Sequence, residues 1–152
     1  MIERFPLRRH EDGRGWFCEL GRESELPKPV RQANLAFSRK GVIRGLHYHE
    51  RGQDDLFVCL QGMVRVVVLD RETGETACED IGDENPMAIY VPGRHAHGYE
   101  ALTDALFCYL VTEEYDAENP DEHGVAWNDP RVVHLWSTQS PLLSDRDSTA
   151  AS

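Results

Sequence analysis

Apolar residues in this chain fall in short runs broken by Gly, Pro, Asn and Asp, and no long stripe of helical period joins them. Runs with strand composition are Arg31 to Phe37, Val42 to Tyr48, Leu56 to Leu60, Met63 to Asp70, Met87 to Val91, Gly98 to Leu102, Ala105 to Val111 and Arg131 to Trp136. Turn signals such as Lys40-Gly41, Gln61-Gly62, Thr73-Gly74, Pro92-Gly93 and Asn128-Asp129-Pro130 separate them. Many short strands with this punctuation predict an all-β sandwich or barrel. In Met63 to Asp70, Val64, Val66 and Val68 share one face while Val67 and Leu69 share the other, which predicts a strand packed on both sides. Helix is expected only as single turns near Glu23 or Asp116, since no segment has a long capped period of 3.6. The small polar residues past Asp147 predict an unstructured tail over 148–152.

A length of 152 residues with 40% hydrophobic content suits one core, so residues 1–147 are read as a single domain. The net charge of -11 disfavours nucleic acid or an anionic membrane surface as a partner, because each needs a basic face. A phosphate-bearing small molecule remains compatible, since a few arginines in a cleft act locally. No apolar run approaches the ~20 residues of a membrane span, and Met1 to Gly15 is too polar for a secretory signal. Cys18, Cys59, Cys78 and Cys108 show no CxxC spacing and read as free thiols of a reducing compartment. The expectation is a cytoplasmic protein.

Candidate chemistry concentrates in two stretches, Gly41 to His49 and Val91 to Gly98. His47 and His49 alternate on one strand and therefore share a face, with Arg44 at that strand's start. His97 follows the Pro92-Gly93 turn. Imidazoles gathered inside one barrel suit either proton transfer near neutral pH or metal ligation.

An ordered series of motifs resembles the dTDP-4-dehydrorhamnose 3,5-epimerase family of cupin-fold nucleotide-sugar epimerases. It runs through Asp12-Gly-Arg14-Gly-Trp-Phe17, Gln32-Ala-Asn34, Arg44-Gly-Leu-His47-Tyr48, Val66 to Arg71, Ala96-His97-Gly98-Tyr99, Tyr109, Tyr115, Trp127 to Pro130 and Leu143 to Asp147. The resemblance implies a cupin jelly-roll barrel and a homodimer. It also implies a metal-independent enzyme, needing no cofactor, that inverts carbons beside the ketone of a dTDP-linked 4-keto-6-deoxyhexose. By the same resemblance, His47 is the base, Asp147 fixes its tautomer, and Tyr109 is the acid across the sugar ring. Arg44, His97 and Tyr115 line the sugar and phosphate part of the site, while Arg14, Phe17, Gln32 and Asn34 hold the nucleotide, in part across the dimer. Read alone, Arg14 with Asp12 is a surface ion pair of little worth, and Tyr109 is a core tyrosine sharing a face with Phe107 and Val111.

Two positions depart from that pattern. Where the family has Gln and, further on, Lys in Gln-Ala-Lys-Leu-Val, this chain has His49 and Asp55 in Gln53-Asp54-Asp55-Leu56-Phe57. Both are retained as substrate-binding positions. A carboxylate at Asp55 opposes a developing enolate unless a cation or proton compensates it. The departures admit two alternatives. One is a metal-dependent cupin enzyme ligating through His47, His49 and His97 with Asp54 or Asp55, and the other is a sugar-nucleotide 3,4-ketoisomerase.

Overall fold

A computed structural model describes residues 1–150. Its strands are β1 (Glu3–Pro6), β2 (His10–Asp12), β3 (Gly15–Phe17), β4 (Gln32–Ser38), β5 (Ile43–Tyr48), β6 (Asp55–Gln61), β7 (Met63–Leu69), β8 (Thr76–Gly82), β9 (Met87–Val91), β10 (Ala96–Ala101), β11 (Ala105–Val111) and β12 (His123–Gly124). One helix, α1 (Asp145–Ala150), closes the described chain. Two five-stranded antiparallel sheets face each other, in the orders β1-β9-β6-β11-β4 and β12-β5-β10-β7-β8. This is the expected all-β cupin jelly roll. β2 and β3 form a separate hairpin.

The alternation read from β7 decides how the layers stack. Val64, Val66 and Val68 point between the sheets, where they join Phe57, Ile81, Ile89, Tyr99 and Phe107 in the central core. Val67 and Leu69 point outward and are covered by Val132 and Trp136 of the C-terminal segment, together with Ile43 and Leu46. The outer face of the other sheet, with Leu56, Val58, Ala88 and Tyr90, is covered by Leu7, Leu20 and Leu26 of the N-terminal segment. Both ends of the chain therefore serve as lids over sheet faces that would otherwise expose apolar surface, each large buried side chain contributing roughly 1.5–3 kcal/mol.

Two sequence expectations are corrected here. Arg131 to Trp136 is not a strand; Val133–Leu135 forms a single 3-10 turn. The N–H groups of Val132 and Val133 both donate to the Asp129 carbonyl, and Val132 and Trp136 are buried on the sheet face. Residues 148–150 are helical where a loose tail was expected. Ser144 Oγ accepts from Asp147 N and caps the turn, and Ser148 N reaches the Ser144 carbonyl. An N-cap serine with an acidic residue three positions on is a helix-start signal that this short segment carries in Ser144 to Asp147. The remainder of that expected tail, Ala151 and Ser152, lies outside the described residues.

The pairing of β5 with β10 positions the site. His97 lies opposite His47, and Tyr99 lies opposite Arg44, so β5 holds one extra residue between the two pairs. Such a bulge resets the alternation and turns Arg44 and His47 toward one cavity although they are three residues apart. Glycine makes the bulge possible. Gly45 has φ +121, and a Cβ there would meet the His97 carbonyl at 2.8 Å. A Cβ on Gly98 would meet the Arg44 carbonyl oxygen at 2.3 Å, and backbone cannot swing aside as a side chain can. Gly98→Ala is therefore expected to destabilise the fold by about 1–3 kcal/mol or more; an unaltered midpoint in chemical denaturation would contradict this packing.

Candidate active site

A cavity of about 500 Å³ opens between the two sheets. β5 contributes Arg44 and His47, the following turn His49, β6 Asp55, β10 His97, and β11 Tyr109. The C-terminal segment closes one side with Leu142, Leu143 and Asp147. Sequence-distant residues meet here because alternate positions of each strand face inward, Asp55 with Phe57 and Tyr109 with Phe107.

His47 Nε2 lies 2.8 Å from Asp147 Oδ1, and Asp147 Oδ2 accepts from the Gly45 backbone N–H at 3.1 Å. Burial pushes the Asp147 carboxyl up, but the His47 and Gly45 hydrogen bonds outweigh it and hold the group below the usual carboxylate range. An ionised carboxylate only accepts hydrogen bonds, so the ring proton of neutral His47 sits on Nε2. Nδ1 is left with the lone pair. The His47 side chain is 27% exposed against 7% for Asp147: one partner meets the cavity and the other is fixed behind it.

A second polar group forms the cavity floor. His97 Nε2 lies 3.2 Å from Asp55 Oδ2, and His97 Nδ1 donates to the His95 carbonyl at 2.8 Å. Burial favours the neutral imidazole, yet the adjacent Asp55 charge and hydrogen bond prevail and raise the His97 pKa. Asp55 responds in kind: burial raises it, but His97 and Gln53 bring it below its ordinary value. His49 goes the other way, lowered by burial and by the positive His97. Its Nδ1 donates to the Asp121 carbonyl at 2.6 Å. Gln53 Nε2 bridges His49 Nε2 at 3.2 Å and Asp55 Oδ1 at 3.0 Å. The buried Asp55 carboxylate is thus hydrogen-bonded inside the protein by His97 and Gln53.

Tyr109 faces the same cavity, and its hydroxyl is kept protonated by burial and by the charges of Asp55 and Glu122. Arg44 is tied back to Ser38 Oγ at 2.9 Å and to the Phe37 carbonyl at 3.1 Å. Gln32, Asn34 and Tyr115 line an adjoining cavity of about 570 Å³, which shares Gln53, Tyr109 and Glu122 with the first. Arg14 and Phe17 are not brought to either cavity. They stand on the exposed β2–β3 hairpin, with the Arg14 side chain 91% exposed and paired to Asp12 at 2.6 Å.

The four-residue metal set divides. Donor atoms of His49, Asp55 and His97 lie within 4.8 Å of one another, whereas His47 is engaged by Asp147. Sequence reasoning gave Gln53 and Arg146 no role and offered Asp54 only as an alternative metal ligand. Gln53 bridges the floor. Arg146, at the cavity edge, pairs with Glu122 at 2.7 Å. Asp54 is buried between the Tyr90 hydroxyl, 2.7 Å away, and the Gly93 N–H at 2.9 Å. A signal for Asp54 was available, since alternation sends it to the face opposite Asp55, where an unpaired carboxylate is costly.

The family model described as dTDP-4-dehydrorhamnose 3,5-epimerase matches residues 3–152. The spore coat polysaccharide biosynthesis protein SpsL of Bacillus subtilis is 38% identical over 141 residues, covering 88% of this chain and 93% of the relative. A dTDP-4-dehydrorhamnose 3-epimerase of Streptomyces niveus is 37% identical, covering 91% of this chain and 73% of its own. The crystal structure of NovW, a 4-keto-6-deoxy sugar epimerase of Streptomyces spheroides, superposes with a TM-score of 0.86 at 32% identity, covering 97% of this chain and 80% of that one.

The His47–Asp147 pair makes a pH-dependent contribution to stability. A carboxyl whose folded pKa is depressed stabilises above its unfolded value of about 3.9 and loses that contribution as pH falls through the folded value. Asp147→Asn should destabilise the protein by about 1–3 kcal/mol at pH 7, and the gap to wild type should close below about pH 3.9. Denaturation curves over that pH range check it; a gap of constant size would mean the carboxylate is not held ionised by this pair.

Proposed function

Because the chain belongs to the dTDP-4-dehydrorhamnose 3,5-epimerase family, we propose that it inverts C3, C5 or both in a dTDP-linked 4-keto-6-deoxyhexose. The observation that carries this reading is the buried carboxylate of Asp147 holding the His47 ring at the wall of a cavity that Tyr109 also lines. A C–H bond beside a ketone is acidic only in the presence of a placed base and of donors at the developing enolate oxygen. His47 Nδ1 takes the proton, the electron pair moves onto the C4 oxygen, and His47 becomes an imidazolium beside Asp147. Tyr109 returns a proton to the opposite face of the carbon. The ring carbon is inverted, no electron is gained or lost, and proton exchange with water resets both side chains.

Arg44 and the protonated His97 supply positive charge near the enolate oxygen, the role that a lysine has in the family pattern. Asp55 keeps His97 protonated and has its own charge spent there, which supports activity in spite of the substitution. The base, the acid and the charged groups at the enolate all belong to the chain, so the proton transfer calls for no cofactor. We assign the cytoplasm as the compartment, supported by four cysteines that stand as free thiols.

We place the nucleotide in the adjoining cavity against Gln32, Asn34 and Tyr115, with Arg14 and Phe17 contributed by a second copy of the chain. β4 is a sheet edge whose outward face exposes Leu35 and Phe37, and the β2–β3 hairpin exposes Trp16 and Phe17. Uncovered apolar edges of this kind are suited to pairing between chains.

Incubation with dTDP-4-keto-6-deoxyglucose in heavy water, followed by NMR, tests the reaction. Wild type should incorporate deuterium at C3, C5 or both. His47→Asn and Asp147→Asn should each slow incorporation at least about 100-fold. Tyr109→Phe should keep exchange at the face served by His47 while losing inverted product. Unimpaired exchange in His47→Asn would overturn the assignment. For the assembly, light scattering should give a dimer, and Leu35→Glu combined with Phe37→Glu should give a monomer with weakened dTDP binding. A wild-type monomer with full dTDP affinity would contradict the shared nucleotide site.

A further inference from the structure

Besides the proton-transfer pair, the cavity holds His49, Asp55 and His97, all three buried. We propose that these three side chains form a binding site for a divalent transition-metal ion of the zinc, cobalt or iron(II) class. This goes beyond the epimerase reading and does not depend on it; the ion and the proton that reading places on His97 Nε2 are alternative occupants of the site.

Three observations carry it. The donor atoms of the three residues lie within 4.8 Å of one another, a spread that one ion bridges with modest side-chain movement. Both imidazoles are already oriented as ligands: His49 Nδ1 donates to the Asp121 carbonyl and His97 Nδ1 to the His95 carbonyl. Each ring therefore presents Nε2 to the same carboxylate, at 3.7 Å for His49 and 3.2 Å for His97. Backbone carbonyls holding the far nitrogen of each histidine are what tunes and aims imidazole ligands at metal centres. Finally, two imidazoles and one carboxylate on one side of an ion leave its other positions open toward the cavity, and this donor set suits zinc and iron.

The polar groups now joining these donors are replaceable. A proton on His97 Nε2 links it to Asp55, and the Gln53 amide links Asp55 to His49. An ion would displace that proton and the amide, leaving two neutral imidazoles and one carboxylate around it. His47 stands outside the set, because its Nε2 belongs to Asp147.

Untagged full-length protein, stripped with chelator and titrated with Co²⁺, tests the site. Wild type should bind one equivalent and develop visible d–d absorption that Zn²⁺ then abolishes. Asp55→Asn and His49→Gln should each lose both the stoichiometric uptake and the absorption, with circular dichroism confirming that they are folded. His47→Asn should retain them. Absence of stoichiometric uptake by wild type, uptake unchanged in Asp55→Asn and His49→Gln, or its loss in His47→Asn would each overturn the proposal.

Discussion

The contact between His47 and Asp147 joins residues 100 positions apart, and most of the architecture can be understood as what that contact requires. His47 must face inward, which depends on the β5 bulge and on two glycines where β5 and β10 approach too closely for any Cβ. Asp147 must arrive from the other end of the chain. The C-terminal segment is laid across the outer sheet face by Val132 and Trp136. Glu100, buried in β10, then grips Ser137 through its backbone and side chain. The Leu142 N–H and carbonyl pair with Gly41 and Ile43, and Ser144 starts the helical turn that presents the carboxylate.

The cavity separates its charges by burial and partner. His47 and Gly45 hold the Asp147 carboxyl below its ordinary range, and His97 and Gln53 do the same for Asp55, while Asp55 raises His97 and burial lowers His49. Two carboxylates in one cavity would ordinarily oppose a developing anion. Here Asp55 is paired with His97 and Asp147 is hydrogen-bonded by His47 and the Gly45 N–H, so each carboxylate is engaged within the protein. His97 is thereby fixed at both ring nitrogens, by the His95 carbonyl and by Asp55.

Much of the barrel was legible from alternation. β9 and β11 have the bounds that their apolar runs suggest, and β7 packs on both faces because valines occupy both sets of alternate positions. β8 was missed because Thr76 to Asp80 is mostly half-buried and polar, as a strand at a sheet edge can be. β1 is a four-residue edge strand with exposed charges and no run to detect. The Arg131 to Trp136 error has the same root. Apolar content signals burial, and a segment lying across a sheet face is as buried as a strand within one. In the site, His47, His49 and Arg44 were legible from spacing, although the bulge that aligns Arg44 with His47 was not. The proximity of Asp147 could not be read from local pattern at all, since it is a product of how the C-terminal segment is anchored, and it was suggested only by the family resemblance. Gln53 and Arg146 read as ordinary surface residues in the sequence, and only the fold brings them to the cavity lining.

The central claim is that an ionised Asp147 fixes the proton of His47 on Nε2 and leaves Nδ1 as the base. Long-range ¹H–¹⁵N NMR correlation of the His47 ring reads this directly at a pH where the ring is neutral. The account predicts a protonated Nε2 and a bare Nδ1 in wild type, with that preference lost in Asp147→Asn. A His47 ring protonated on Nδ1 in wild type, or a tautomer indifferent to the Asp147 substitution, would contradict it.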